Sequence, residues 1–203
     1  MFWNVNGKEE QNPGGTSYFN RVEAKNISRL VKTLLDAGVN PGQLGIITPY
    51  EAQRAYIVQL LMQRGIFNQI DEDSKLLENK GRIEIANVDA FQGREKDITI
   101  ISSVRANTSG DIGFLFDKRR LNVTLTRAKY GLIIVGNAPT LSQDKTWKNL
   151  LNMYQKQNCL VEGPLHNLKP LKMSLFKTSQ LLKEGKLRDA EELEDEEKWG
   201  RKV

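Results

Sequence analysis

"DITIISSV" (97–104) carries isoleucine at 98, 100 and 101 and ends on valine. A strand with one wet face alternates apolar and polar residues. A nearly continuous apolar run predicts a strand buried on both faces, as in a parallel sheet covered by helices. "YGLIIVGN" (130–137) reads the same way and is more apolar still. Shorter strands are predicted at "FWNV" (2–5), "LGIIT" (44–48), "IEIANV" (83–88) and "CLVEG" (159–163). Helical periods fall between them. From Asn20 to Ala37, Ile27, Leu30, Val31 and Leu34 form one apolar stripe. A second helix is predicted over Glu51–Gln63, ended by Gly65, a third over 120–128 and a fourth from Pro139 to Gln157. Strands alternating with helices at short intervals predict an α/β domain: a mostly parallel, doubly wound sheet with helices on both faces.

The connections fit this pattern. "GKEEQNPGGTSY" (7–18) is polar and rich in Gly and Pro, and "AGVNPGQ" (37–43) stops the first helix. Residues 66–82 read as a surface excursion and 105–119 as a loop. Residues 178–203 are mostly charged and read as a helical or disordered extension, which leaves 1–177 as the folded domain.

Net charge is +5, and acidic residues concentrate in the extension, so the body is more basic than the whole. That balance points to a polyanionic partner. The single cysteine, Cys159, excludes an intrachain disulfide and fits a reducing, cytoplasmic setting. One Cys and one His, His166, make a zinc site a poor reading, and no metal ligand is assigned. No apolar run is long enough to cross a membrane.

Ligands of open parallel sheets bind beyond the carboxyl ends of strands. Thr48–Arg54, Asp89–Glu95 and Arg105–Asn107 follow three predicted strands and are expected along one edge. The end of the basic helix, with Arg127, lies elsewhere on the sheet. The usual phosphate cradle, G-x-x-x-x-G-K-[ST], has no match. "DEDS" (71–74) resembles an acidic Mg²⁺-binding box but follows a polar stretch, and is set aside as a decoy. Arg54 and Arg127 each sit one element from a strand end, and a planar guanidinium grips phosphate well. Either arginine equally suits a surface ion pair. The residues by themselves describe an anion- or nucleotide-facing α/β domain.

Three longer blocks are more specific. "IITPYEAQRAYIVQLL", "VDAFQGREKDITIISSVRAN" and "GFLFDKRRLNVTLTRAKYGLIIVGN" resemble motifs IV, V and VI of superfamily 1 RNA/DNA helicases. They are most similar to the up-frameshift helicases of nonsense-mediated mRNA decay, with Ala52 in place of a usual glycine. The resemblance implies a RecA-like domain, the second of two that close on ATP and Mg²⁺. The first domain, carrying the phosphate loop and holding the metal, is the partner expected elsewhere in the full-length chain. By the same resemblance Arg54 and Arg127 contact the γ-phosphate, and Gly93 and Glu95 line the same cleft. Glu95 either accepts from ribose hydroxyls or orders a finger arginine. Tyr50 stacks on adenine, or is simply a packed aromatic at a strand end. Single-stranded RNA is expected to cross Thr48, Pro49, Val88, Asp89, Arg105, Ala106 and Asn107, with Asp89 alternatively a helix cap. Lys118, Arg119, Arg120 and Lys129 raise the local positive field. Decay-pathway regulatory proteins are the further partners implied. A related helicase of the same branch, a non-motor nucleic-acid-binding module and a scaffold docking through the acidic extension remain open.

Overall fold

The computed structural model describes residues 1–66 and 81–173. Most of the 66–82 excursion, the "DEDS" box and the 178–203 extension fall outside the described residues, as does the expected boundary at 177. Met1–Leu171 forms one compact unit.

Among the described residues nine strands run in chain order: β1 (Phe2–Asn4), β2 (Glu10–Gln11), β3 (Tyr18–Phe19), β4 (Leu44–Ile47), β5 (Glu84–Ala86), β6 (Lys96–Ser102), β7 (Ala128–Gly136), β8 (Leu160–Glu162) and β9 (Lys169–Pro170). Seven form one sheet in the order β5-β4-β6-β7-β1-β8-β9. Every pair in it is parallel except β8–β9. β2 and β3 make a separate antiparallel hairpin from the polar 7–18 connection and Phe19. The α/β sheet is therefore mostly parallel, as the apolar runs predict.

Adjacent residues of a strand face opposite sides, and the core divides accordingly. Ile46 and Ile100 pack with Trp3 and Val135 against α1 (Arg21–Asp36) and α2 (Glu51–Gln63), through Ala24, Ile27, Val31, Ile57 and Leu61. Ile47 points the other way and packs with Val88, Phe91 and Val123 of α3 (Lys118–Leu125). Two further helices follow β7: α4 (Ala138–Leu141) and α5 (Lys145–Lys156). Helices thus cover both faces.

Side-chain caps set the helix starts. Asn20 Oδ1 accepts from the N–H groups of Val22 and Glu23. Asp117 caps α3, so that helix starts two residues before the expected 120. It ends at Leu125 rather than 128, because the next residues pair with β6: Lys96 N–H donates to Arg127 O at 3.0 Å. Tertiary pairing overrides helical period there. The expected helix 139–157 is broken in two by Asp144, whose carboxylate accepts from Thr146 and Trp147 N–H and starts α5.

A buried polar knot joins α1, α2 and β6. Glu23 is fully buried. Its carboxyl accepts from Ser102 Oγ at 2.7 Å and from Val104 N–H at 2.9 Å. Gln53 Nε2 donates to Ser102 Oγ, and Gln53 Oε1 accepts from Asn20 N–H, both at 2.8 Å. Burial pushes the Glu23 carboxyl from 4.5 up to about 7, while the bonds from Ser102 and Val104 hold it back. Between those two values the folded chain binds a proton that the unfolded chain does not, so stability falls as pH rises through the window. The loss is on the order of 3 kcal/mol. Denaturation of the native chain from pH 4 to pH 8 should show this decline, superimposed on the other groups. Glu23→Gln, neutral throughout, should lack it, so its stability relative to wild type climbs across the window and then levels. Parallel profiles for the two proteins would refute the assignment.

Candidate functional site

In a parallel sheet all strands end at one edge. β6 has seven residues and spans about 20 Å between the edges. The expected ligand residues distribute over both.

At the amino edge, Arg127 precedes β7 and Gly93–Glu95 precede β6. The 87–95 loop leaves β5 at the carboxyl edge, is pinned midway by the fully buried Phe91, and arrives at the opposite edge. Gly93 and Glu95 are thereby separated from Asp89 and brought to Arg127. The Arg127 guanidinium donates to Val123 O at 2.9 Å, Arg94 O at 3.3 Å and Thr126 Oγ1 at 3.0 Å. All three acceptors are neutral, and among the described residues no carboxylate pairs with Arg127. Its neighbour Arg94 is paired with Glu84. Glu95 is exposed and makes none of the bonds to Arg127, so the arginine is ordered by backbone and hydroxyl oxygens. Gly93 has φ +76° with open space where a Cβ would stand. The glycine serves the left-handed turn, and its backbone is open to a ligand.

Arg54 does not join this cluster. It lies in the first turn of α2, just beyond the carboxyl end of β4, and its Nε donates to Glu51 at 2.8 Å. Tyr50 is not available to stack on a base. It is 2% exposed, with its ring against Tyr18 and Phe114 and its hydroxyl accepting from Arg105 at 3.4 Å. Of its two sequence readings, the packed aromatic is the one realised.

The carboxyl edge is organised by Arg105, which is itself 4% exposed. Its guanidinium donates to Glu9 through Nε at 3.0 Å and Nη2 at 3.2 Å, and to Asp111 through Nη2 at 2.9 Å. The Tyr18 ring lies beneath it at 4.5 Å. Burial opposes ionisation of Glu9, but bonds from Arg105, Asn107 and the Ala106 N–H hold its carboxyl below the ordinary range. Arg105 is therefore engaged internally, with Glu9, Asp111 and Tyr50 as its acceptors. Asn107 is also engaged, donating to Glu9 at 2.9 Å and to Asp111 O at 2.8 Å. Thr48 is fully buried and likewise offers no surface to RNA. Asp89 is not the cap of its turn: Asn87 Oδ1 accepts from Ala90 N–H, while Asp89 pairs with Arg120 at 3.2 Å.

Two open grooves flank this hub. One, of about 230 Å³, is lined by Pro49, Asn87, Val88, Asp89, Phe114 and Arg120. The other, of about 670 Å³, includes Lys8, Glu9, Ala106, Asn107 and Thr140 in its wall. Five residues expected to meet RNA thus remain at grooves: Pro49, Val88, Asp89, Ala106 and Asn107. Glu9, Asp111 and Phe114 carry no signal in the sequence, since a loop has no period and a buried ion pair across 96 positions leaves no spacing to read.

Removing one partner of a buried ion pair strands the others. Arg105→Ala should lower the unfolding free energy by about 3–5 kcal/mol. Arg105→Lys should recover little of it, because an ammonium cannot reproduce the fork to Glu9. Urea denaturation of the three proteins checks this, and a near-neutral Arg105→Lys would contradict it.

A model of the AAA domain family matches residues 1–139. Regulator of nonsense transcripts 1 of Caenorhabditis elegans is 51% identical over 179 residues, covering 88% of this chain and 16% of that protein. ATP-dependent helicase NAM7 of Saccharomyces cerevisiae is 51% identical over 168 residues, covering 83% and 16%. ATP-dependent helicase upf1 of Schizosaccharomyces pombe is 42% identical over 175 residues, covering 86% and 18%. The chain thus spans 16% to 18% of the length of these relatives. The family match and the mostly parallel sheet lead to one conclusion: this chain belongs to the AAA domain family.

Proposed function

We propose that this chain is the second motor domain of an ATP-dependent RNA helicase acting in nonsense-mediated mRNA decay, and that Arg127 is its arginine finger. The observation that carries the reading is the Arg127 guanidinium. It is partly exposed, oriented by three neutral oxygens, uncompensated by any carboxylate among the described residues, and next to the open backbone of Gly93. A site prepared in this way favours an incoming anion.

The first RecA-like domain, outside this chain, holds the triphosphate. By the same reading Mg²⁺ is held with the triphosphate by that domain. Closure of the cleft brings Arg127 to the γ-phosphate, where its fixed charge stabilises negative charge in the transition state. Glu95, exposed beside it, accepts from ribose hydroxyls. After hydrolysis the γ-phosphate contact is gone, the differential affinity for the closed state disappears and the cleft opens. Single-stranded RNA lies along the carboxyl-edge grooves, gripped through backbone contacts that carry no base information. Decay-pathway regulatory proteins are further partners. Arg54, paired with Glu51 near the carboxyl edge, is left out of the finger role.

In the full-length protein, Arg127→Ala should cut RNA-stimulated ATP hydrolysis by about a thousand-fold or more, with the melting temperature unchanged. Arg54→Ala should keep most of the activity. The 203-residue chain by itself should not turn over ATP. Robust hydrolysis by the purified chain would overturn the assignment, and a large fall in melting temperature on Arg127→Ala would make that residue structural. RNA binding that is salt-sensitive yet indifferent to ATP in the full-length protein would favour a non-motor binding module.

A further inference from the structure

Phe114 is 57% exposed, in the 3₁₀ turn Gly113–Phe116. An exposed phenylalanine is ordinary when it stands alone on a loose loop. This one stands on a turn clamped from both sides. Gly113 N–H donates to Asp111 Oδ1 at 2.9 Å, and Asp111 is held by Arg105. A Cβ on Gly113 would meet Arg105 Nη1 at 2.4 Å and the Tyr50 hydroxyl at 2.7 Å, so only glycine lets the turn sit this close. On the other side Trp147 Nε1 donates to Leu115 O at 3.0 Å. The Phe114 ring leans on Tyr50, with centroids 5.7 Å apart and planes inclined by 56°. The aromatic is therefore presented in one place, and little ordering is left for a ligand to impose.

What it faces is the 230 Å³ groove, with Pro49 and Val88 as apolar wall and Asp89, Asn87 and Arg120 at its mouth. Among the described residues the Arg120 side chain pairs with Asp89 alone, and the two are 44% and 68% exposed. Such a pair contributes little and exchanges readily for a phosphate. One fixed ring, one apolar wall and one loosely held guanidinium are the components of a stacking site for a base with its phosphate beside it. A peptide anchor would want an apolar rim, whereas this opening is bordered by charge and amide.

We infer that Phe114 is a base-stacking platform for single-stranded RNA on the carboxyl edge, with Arg120 on the adjoining phosphate. The inference rests on the proposed RNA path and adds to it a contact that does not depend on sequence, because every base has a π-face. It also gives the buried Arg105 hub a purpose: fixing the ring that the strand meets.

The test measures binding of a short oligouridine, and of the same strand with abasic sites, to the full-length protein by fluorescence anisotropy across a salt series. Phe114→Ala should weaken oligouridine binding about ten-fold with the same salt slope, and should leave abasic binding unchanged. Phe114→Trp should bind like wild type. Arg120→Ala should instead lower the salt slope by about one. Equal binding by wild type and Phe114→Ala overturns the stacking role while leaving the RNA path intact. Equal loss on both strands overturns it in favour of a shape-keeping role for the ring. No binding by wild type overturns the RNA path and this inference together.

Discussion

The carboxyl edge of this domain depends on one buried cation. A guanidinium at 4% exposure must find its counter-charges inside the protein, because an isolated buried charge costs far more than a domain's margin of stability. Arg105 finds them on two segments far apart in sequence, Glu9 and Asp111, and places its face on Tyr18 and an edge nitrogen at Tyr50. Satisfying that one group fixes the irregular segment that follows β1, the β2–β3 hairpin, the exit of β4 and the loop beyond β6. A hydrophobic cluster of the same volume would fill the space. It would not dictate which way Asn107 or the 113–116 turn faces, since apolar contact is not directional.

The sheet separates two kinds of chemistry by the length of a strand. Arg127 and Gly93 stand where β7 and β6 begin, and the grooves stand where β4, β5 and β6 end. The 87–95 loop is the piece of chain that visits both. Val88 and Asp89 line the groove, Phe91 is locked beneath the sheet, and Gly93 opens beside Arg127. Its middle cannot slide, because Phe91 packs against Ile47 and Val88 in a core with little free volume.

The sheet was legible because burial on both faces leaves a composition signal: Ile98, Ile100 and Ile101 in β6, and Leu132 to Val135 in β7, cannot be spaced otherwise. The first helix was legible for a different reason, its single apolar stripe, and Asn20 and the Glu51–Gln63 bounds came through directly. What sequence could not supply is exposure. Tyr50 and Arg105 belong to residue types that serve ligands on a surface and networks in a core, and nothing local says which. The grouping of Arg127 with Gly93 and Glu95 crosses 34 positions and follows from strand order, which periodicity does not give. The end of α3 was misplaced because pairing of Arg127 with Lys96 competes with helical period only in three dimensions.

Several arginines at element ends would look alike in a charge count, and their partners tell them apart. Arg54 has Glu51, Arg105 has Glu9 and Asp111, Arg120 has Asp89, and Arg127 has none of these. Giving up a carboxylate partner adds a cost to phosphate binding, small for the exposed Arg120–Asp89 pair and large for the buried Arg105. Backbone carbonyls and a hydroxyl orient the side chain without that penalty, because they carry no net charge to compete. A group whose task is to meet charge that develops only in a transition state is most effective when it is already aimed and already unpaired. Arg127 meets both conditions through oxygens supplied by α3 and by the turn before β6, so its aim is set by the same pairing that ends the helix early.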